Sequence, residues 1–256
     1  MEEFFKRYIA KKLHKKGEEY KLSENSKRSS NRFGESNTLT SKIYQAFKLV
    51  AGKLVKREMY NRLLKHLVEI KHLEAQLLKS ETQYTVFTEL RNFRLSSTRS
   101  WRSLLPWVPE IKLNLPQAHV DITLPDNKSW DLKSFPERLS RIGITFYVIG
   151  VSLDDLIAEQ FFTETAFMVP HKPINFQRVK IMVKIPDECV LFVIGFVQYY
   201  LWDTSGSTDF SSNNKAHMAA DIMQVFHVKN GELLCEKVSE RVVSKQSVQK
   251  NGAKWE

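Results

Sequence analysis

The spacing of hydrophobic residues predicts a helical first part of the chain. After position 40, large apolar residues recur at intervals of three and four, which is the period of an amphipathic helix. This pattern predicts a helical segment over residues 40–80, capped by Thr40, broken near Gly52 and extended through Leu90. Its leucine-rich stripe over residues 60–78 is expected to pack against the rest of the chain, with dimerisation as the alternative.

A different hydrophobic pattern predicts strands after the proline-rich stretch of residues 96–116. Apolar and polar residues alternate over residues 120–124, and Ile144 to Val151 form an unbroken apolar run, as in a strand covered on both faces. Between these strands, Ser134 is expected to cap a short helix that continues to Ile142.

The remaining apolar runs predict two hairpins. The first joins residues 180–185 to residues 190–202 through a turn at Pro186, and the second turns at Asn230-Gly231. The predicted fold class is therefore α+β, with a basic N-terminal amphipathic arm, a helical segment and then a mainly antiparallel sheet domain with short helices.

Composition shifts suggest four regions along the chain. Residues 18–37 are rich in Ser, Asn and charged residues, which predicts a flexible linker. The expected organisation is a basic arm with its linker (1–37), a helical segment (38–95), a β-rich core domain (96–243) and a basic tail (244–256).

The charge of the chain points to an anionic partner. Its formal net charge is +10, and a field of this sign attracts phosphates and acidic lipids. Residues 4–16 combine a narrow apolar face with clustered basic residues, which is typical of a helix at an acidic membrane surface. The residues predicted to bind the membrane are Phe4, Phe5, Lys6, Arg7, Tyr8, Ile9, Lys11, Lys12, Leu13, Lys15 and Lys16. A helix docked on the protein's own core, or in the groove of a partner, remains an alternative.

A second basic segment suits nucleic acid. It interleaves guanidinium groups, which bind phosphate, with aromatic rings, which can stack on bases. The residues predicted to bind nucleic acid or nucleocapsid are Arg91, Phe93, Arg94, Arg99, Trp101 and Arg102. The alternative is a domain edge with solvated arginines and buried aromatic rings.

Motifs for catalysis are weak, so the protein is expected not to be an enzyme and to need no metal or cofactor. The seven histidines lack metal-ligand spacing, and no Gly-rich phosphate loop is present. An enzyme site built from Asp154, Asp155, Glu164 and His171 stays open, although Ser152 followed by acidic residues is more typical of a helix start.

The cysteines and the N-terminus indicate where the protein is found. The two cysteines, Cys189 and Cys235, form no C-x-x-C pair, which favours a reducing compartment without excluding a bridge between them. Because neither a secretory signal nor a spanning apolar run is recognisable, we expect a protein of the cytosol or nucleus whose membrane contact is peripheral.

The order of elements and several local strings resemble the matrix proteins of rhabdoviruses over residues 115–202. The strings are Val120-Asp121-Ile122-Thr123-Leu124, the helix to Ile142, the strand over 144–151, and Ala166-Phe167-Met168-Val169-Pro170-His171-Lys172 before the strand at 179–185. The chain lacks the P-P-x-Y and P-T/S-A-P motifs with which many such matrix proteins recruit the budding machinery. The resemblance therefore does not imply this recruitment. The segment over residues 40–90 lacks a counterpart in the short animal-virus members, whereas longer plant-virus relatives, which act in the nucleus, match the size better.

This resemblance implies a structural protein that drives virion assembly. It would bind an acidic lipid membrane, viral nucleocapsid or RNA, other copies of itself and an envelope glycoprotein, in the virion, at the inner face of the host membrane, and in host cytoplasm or nucleus. The alternative is a nucleic-acid-binding viral movement-type protein, which would also be basic, β-rich and non-enzymatic.

The arm yields the first testable prediction. We expect the full chain to co-sediment with acidic but not neutral liposomes, and only at low salt, because the attraction is electrostatic. A variant lacking residues 1–17 should stay in the supernatant. If neither protein pellets while RNA is still retained, the membrane function of the arm is wrong.

Overall fold

A computed structural model gives the fold of this chain. It describes residues 23–77, 84–124, 135–163, 165–169 and 178–236. The basic arm, the basic tail, Ser134, Glu164 and His171 lie outside these ranges, so the predictions made for them are not addressed. The chain divides into two units, residues 1–35 and 36–256.

Within the described residues, helices dominate the first part and strands the second, and the predicted α+β class is confirmed. The helices are α1 (Glu24–Ala51), α2 (Arg57–Leu77) and α3 (Trp101–Leu104), and 3₁₀ turns lie at Gly52–Leu54, Phe87–Leu90 and Lys215–His217. The strands are β1 (Tyr84–Thr85), β2 (Glu110–Asn114), β3 (His119–Thr123), β4 (Leu139–Ser152), β5 (Ala158–Phe162), β6 (Ala166–Met168), β7 (Val179–Met182), β8 (Glu188–Trp202), β9 (Asp209–Ser211), β10 (Met218–Lys229), β11 (Glu232–Leu233) and β12 (Cys235–Glu236).

The beginning of α1 corrects the linker prediction, because residues 24–37 are helical. Ser23 caps this helix by accepting a hydrogen bond from the Ser26 backbone N–H at 3.2 Å, and Lys27 pairs with Glu24 at 2.9 Å. Such local contacts stabilise a polar helix without burial of apolar surface, which is why the composition was misleading.

The predicted cap at Thr40 is also wrong, because Thr40 lies inside α1. Its hydroxyl is buried and donates to the Ser36 carbonyl one turn earlier, at 2.6 Å. A threonine can satisfy its hydroxyl in this way in a helix interior, so its presence alone does not mark a helix start.

The predicted break near Gly52 is confirmed, because α1 ends at Ala51 and Gly52 adopts a φ of +34°. The helix does not extend to Leu90: α2 ends at Leu77, and Phe87–Leu90 form a 3₁₀ turn. The leucine stripe does pack within the chain, since Leu63 and Leu67 are fully buried in the core.

The main sheet is antiparallel and has seven strands among the described residues, in the order β11-β10-β8-β4-β5, with β6 also pairing with β4 and β9 with β8. A second sheet has the order β2-β3-β7, and β1 pairs with β12. The long strands β4 and β8 form the centre of the main sheet. Two similar strings of the sequence, Tyr147-Val148-Ile149-Gly150 and Phe192-Val193-Ile194-Gly195, lie side by side there, because Tyr147 pairs with Ile194 and Gly150 with Leu191.

The main sheet is covered on both faces. Helices α1 and α2 pack on one face, where Phe47 meets Phe192 edge to face at 5.7 Å between ring centres. The β2-β3-β7 sheet and Trp101 pack on the other face. Consecutive residues such as Val148 and Ile149 are therefore both fully buried, which confirms the prediction of a strand covered on both sides.

Two local predictions in the β-rich half are wrong. The predicted helix to Ile142 is the beginning of β4, because Ile142 pairs with Tyr199 of β8 and Met168 of β6. Ser152, the predicted helix start, is instead the last residue of β4, and the turn to β5 follows it. Pairing with strands distant in sequence overrides a local capping pattern.

One of the two predicted hairpins is confirmed. Asn230 and Gly231 both have positive φ, 52° and 73°, and connect β10 to β11 as a tight two-residue turn requires. The other is wrong, because β7 pairs with β3 and β8 pairs with β4 and β10. A connection at Pro186 therefore crosses between the two sheets.

Gly195 in β8 supports a prediction about stability. A Cβ atom there would lie 2.5 Å from Cζ3 of Trp101 and 3.0 Å from Cγ of Met223. We expect Gly195→Ala to lower the free energy of unfolding by roughly 1 to 3 kcal/mol, because the buried indole cannot retreat. Urea denaturation measures this change.

Gly34→Ala is the matched control, since a Cβ atom at Gly34 meets no atom within 4 Å and the residue lies inside α1. It should leave stability unchanged or raise it by less than about 1 kcal/mol. Equal effects of the two substitutions would contradict the packing argument.

Candidate functional site

The segment around Arg94 lies along the edge of β10 that does not pair with β8. The Ile222 backbone N–H donates to the Phe93 carbonyl at 3.0 Å, and the Leu95 N–H donates to the Ala220 carbonyl at 2.8 Å. These bonds place Arg94 opposite Asp221. Since side chains alternate, Phe93 and Leu95 enter the core while Arg94 is exposed.

Trp101 joins this segment to the sheet. Its backbone N–H donates to Oδ2 of Asp221 at 2.8 Å, and its indole Nε1–H donates to the Trp107 carbonyl at 2.7 Å. Its ring lies over Gly195, the β8 residue that pairs with Asp221. The backbone of Trp101 therefore places its own indole ring on Gly195 and orients the carboxylate of Asp221.

An open cavity of about 440 Å³ lies beside this junction. Its lining combines two guanidinium groups, a carboxylate, an amide and apolar side chains. The lining residues are Asn92, Arg94, Ser100, Trp101, Arg102, Val108, Asp221 and Met223.

Three of the six residues predicted to bind nucleic acid are exposed arginines, namely Arg94, Arg99 and Arg102, which we call the arginine surface. None of the three forms an ion pair with a residue that the structure describes. Arg94 and Arg102 line the same cavity. The charge of Arg99, added to burial, lowers the pKa of His217. Exposed cations without a direct ion pair suit phosphate or carboxylate ligands.

The predicted stacking of bases on Phe93 and Trp101 is not supported. Phe93 is 7% exposed and Trp101 is 1% exposed, so neither ring offers a free face. Arg91 is half-buried. The segment is therefore a domain edge with buried aromatic rings and exposed arginines, which was the alternative drawn from the sequence.

Arg62 of α2 joins the surface, although the sequence does not single it out. Its Nη2 donates to the Arg94 carbonyl at 2.8 Å, and its guanidinium lies 5.0 Å from the centre of the Phe93 ring. Burial and the nearby charge of Arg94 lower its pKa. Arg62 therefore holds the backbone of Arg94 in place.

Asp221 is the most perturbed acid of the site. It is 5% exposed, and its Oδ1 has no hydrogen-bond partner among the described residues. Burial raises its pKa to about 6, although the Trp101 N–H and the charge of Arg94 act in the opposite direction. Neither alternation nor a motif distinguishes this acid, because only the folded sheet buries it.

A second polar cluster lies on β3 of the small sheet. Asp121 accepts hydrogen bonds from His119 at 3.2 Å and from Arg178 at 2.5 Å on the same Oδ2 atom. Burial would raise the pKa of Asp121, but its contacts with Arg178 and His119 outweigh burial and lower it. Because Arg178 neutralises this carboxylate, we interpret the cluster as an ion-pair network.

In the described part of the chain, the residues considered for catalysis do not form a cluster. Asp154 and Asp155 lie on the exposed turn between β4 and β5, where the backbone N–H of Ile157 lowers the pKa of Asp155 by hydrogen bonding. Cys189 is a free thiol whose burial raises its pKa to about 11. The described ranges contain no group of three or more metal-ligating side chains.

None of the helices in the described part of the chain has both the length and the apolar character needed to cross a membrane. Comparisons with family models, with curated proteins and with solved structures found no match to this chain. The chemistry of the arginine surface and its cavity is therefore the basis for inferring a function.

The pKa of Asp221 predicts how stability depends on pH. The folded protein keeps this proton up to about pH 6, whereas an ordinary aspartate loses it near 3.8, so the contribution of Asp221 to the free energy of unfolding should fall as pH rises between these values. Buried His227, whose pKa burial lowers to about 4, contributes in the opposite direction, so the effect of Asp221 is the difference between wild type and variant. Asp221→Asn should remove this fall and raise stability at pH 7.5 by roughly 1 to 3 kcal/mol. Urea denaturation at pH 4 and 7.5 measures both effects.

Asp154→Asn is the control, since it removes a carboxylate from an exposed turn. It should leave the difference in stability between the two pH values unchanged. A loss of stability in Asp221→Asn at pH 7.5 would contradict the conclusion that the ionised carboxylate is costly.

Proposed function

We propose that this protein is a viral matrix-type structural protein that acts without turnover. In this proposal it binds acidic membrane and nucleocapsid RNA, and associates with itself to drive virion assembly. The observation that carries the proposal is the arginine surface, because Arg94, Arg99 and Arg102 are exposed and no described carboxylate pairs with them.

The arginine surface supports the RNA half of the proposal. Guanidinium groups bind phosphate through paired hydrogen bonds, and each phosphate contact releases counterions from the nucleic acid. Arg94 and Arg102 share one cavity, and Arg62 fixes the Arg94 backbone by a hydrogen bond. A fixed backbone lowers the entropy that Arg94 loses on binding.

The basic arm supports the membrane half. It contributes six basic residues between positions 6 and 16, and each is worth about 1 kcal/mol at an acidic surface. Binding of membrane, RNA and further copies would combine through multivalency, so each contact can be weak. An envelope glycoprotein is a further partner in this proposal.

A nucleic-acid-binding movement-type protein is the second candidate, because the arginine surface supports RNA binding without any membrane contact. The two candidates differ in whether one chain holds RNA and acidic lipid together. A bridging experiment therefore separates them.

Substitution of the arginine surface tests RNA binding. We expect Arg94→Gln, Arg99→Gln and Arg102→Gln together to weaken binding to single-stranded RNA. The slope of log affinity against log salt should become shallower by about 2, since each lost contact with a single strand removes about 0.7. Fluorescence anisotropy at four salt concentrations measures both quantities.

The matched control replaces Lys42, Lys48 and Lys65 with Gln, which removes the same charge from exposed positions of α1 and α2. It should change the slope much less. Equal slopes for the two triple variants would show that net charge alone attracts RNA, and the arginine surface would lose its role.

Bridging of RNA to membrane tests the matrix assignment. Labelled RNA should pellet with acidic liposomes only when the full chain is present, and not when residues 1–17 are deleted. Retention of RNA by the protein without any transfer to liposomes would favour the movement-type candidate instead.

A further inference from the structure

Asp221, which lines the cavity beside the arginine surface, has one buried carboxylate oxygen without a hydrogen-bond partner among the described residues. Oδ2 of Asp221 accepts the Trp101 N–H at 2.8 Å, whereas Oδ1 has no partner among the described residues. A buried polar atom without a partner is destabilising, because it has lost its hydration without compensation. The Asp221 carboxylate is thus suited to a ligand that brings a hydrogen-bond donor.

The rest of the lining narrows the class of ligand. Arg94 and Arg102 supply two exposed cations that no described residue pairs with, so the ligand also carries an anion. Val108, which is 39% exposed, and Met223 supply apolar surface. A volume of about 440 Å³ falls within the range of small-molecule sites.

A nucleotide combines these three properties, since it has a phosphate, a flat ring and ring-edge donors. We infer that the cavity binds one nucleotide of a single-stranded RNA, with Arg94 and Arg102 on its phosphate and Oδ1 of Asp221 accepting a hydrogen bond from an exocyclic amine of its base. This inference rests on the proposed RNA binding and adds a preference among bases.

The carboxylate predicts which bases are preferred. Adenine, cytosine and guanine each present an exocyclic amine, which donates to a carboxylate oxygen without opposing charge. Uracil has no such amine, and its ring N–H lies between two carbonyl oxygens that would be held against the carboxylate. Because a hydrogen bond to a charged group is involved, we expect adenine and cytosine to bind about tenfold more tightly than uracil.

Asp221→Asn tests this contact with little change in shape. The amide oxygen of Asn can replace Oδ2 as the acceptor of the Trp101 N–H, which leaves an amide N–H₂ in place of Oδ1. A donor there faces the donor of the base, so the preference for amine-bearing bases should be lost. The substitution is expected to stabilise the fold at pH 7.5, so weaker binding would not reflect unfolding.

The experiment measures the affinity of the full chain for labelled 12-nucleotide oligomers of riboadenylate, ribocytidylate and ribouridylate at pH 7.5 and constant salt. In the wild type the first two should bind about tenfold more tightly than the third. In Asp221→Asn this preference should be lost and the three oligomers should bind with similar affinity, because the amide neither accepts from the amines nor repels the uracil carbonyl oxygens. Asp154→Asn should behave as wild type.

Two outcomes would overturn the inference, and they separate it from the proposed function. Equal wild-type affinities for the three oligomers, or the same preference in Asp221→Asn, would remove the role of Asp221. If the arginine triple variant still weakens binding to all three, RNA binding by the arginine surface stands. A wild type that binds none of the oligomers would overturn both proposals.

Discussion

Burial of the main sheet on both faces is the constraint on which the rest of residues 36–236 depends. β4 and β8 pair over most of their length, and their side chains enter the helical layer and the small-sheet layer in turn. Neither face can meet water without exposing large apolar surface, which costs about 25 cal/mol per Å². Both covering layers are therefore needed, and the edge of β10 becomes a place where they meet.

The candidate site lies at that edge because three requirements coincide there. Gly195 leaves room for the Trp101 ring, and Asp221, its partner across the sheet, receives the Trp101 backbone N–H. The register between β8 and β10 shifts between Ile222 and Gln224, so β10 contains a bulge beside the cavity. Bulges frequently redirect side chains near functional sites.

Electrostatic contrast is the second property of this site. Exposed guanidinium groups lie beside the carboxyl group of Asp221, and burial raises the pKa of this group to about 6. A surface that only attracted phosphate would need no buried acid with an oxygen that lacks a hydrogen-bond partner among the described residues. This combination is the reason for our proposal that the site recognises a ligand with both an anion and a donor, because the ionised acid contributes unfavourably to the stability of the fold.

Four features could be predicted from the amino-acid sequence: the α+β class, the break at Gly52, the doubly covered strand over 144–151 and the turn at Asn230-Gly231. Each of these follows from periodicity or backbone preference within a few residues. It also located the arginine-rich segment, because charge is visible in composition. The mistaken cap at Thr40 and the mistaken helix to Ile142 both came from capping patterns. Thr40 satisfies its hydroxyl inside α1, whereas Ile142 pairs with strands distant in sequence.

The buried aromatic rings and the acid with the shifted pKa could be recognised only in the folded protein. Phe93 and Trp101 look like stacking rings in the sequence, yet docking on β10 and β8 removes them from solvent. Asp221 accepts a hydrogen bond from the backbone N–H of Trp101, which is 120 residues away in sequence. Arg62 donates to the carbonyl of Arg94, which is 32 residues away. Local patterns determine helices and turns because their interactions span a few residues, whereas a binding site assembled from distant segments depends on the pairing of strands that no local pattern specifies.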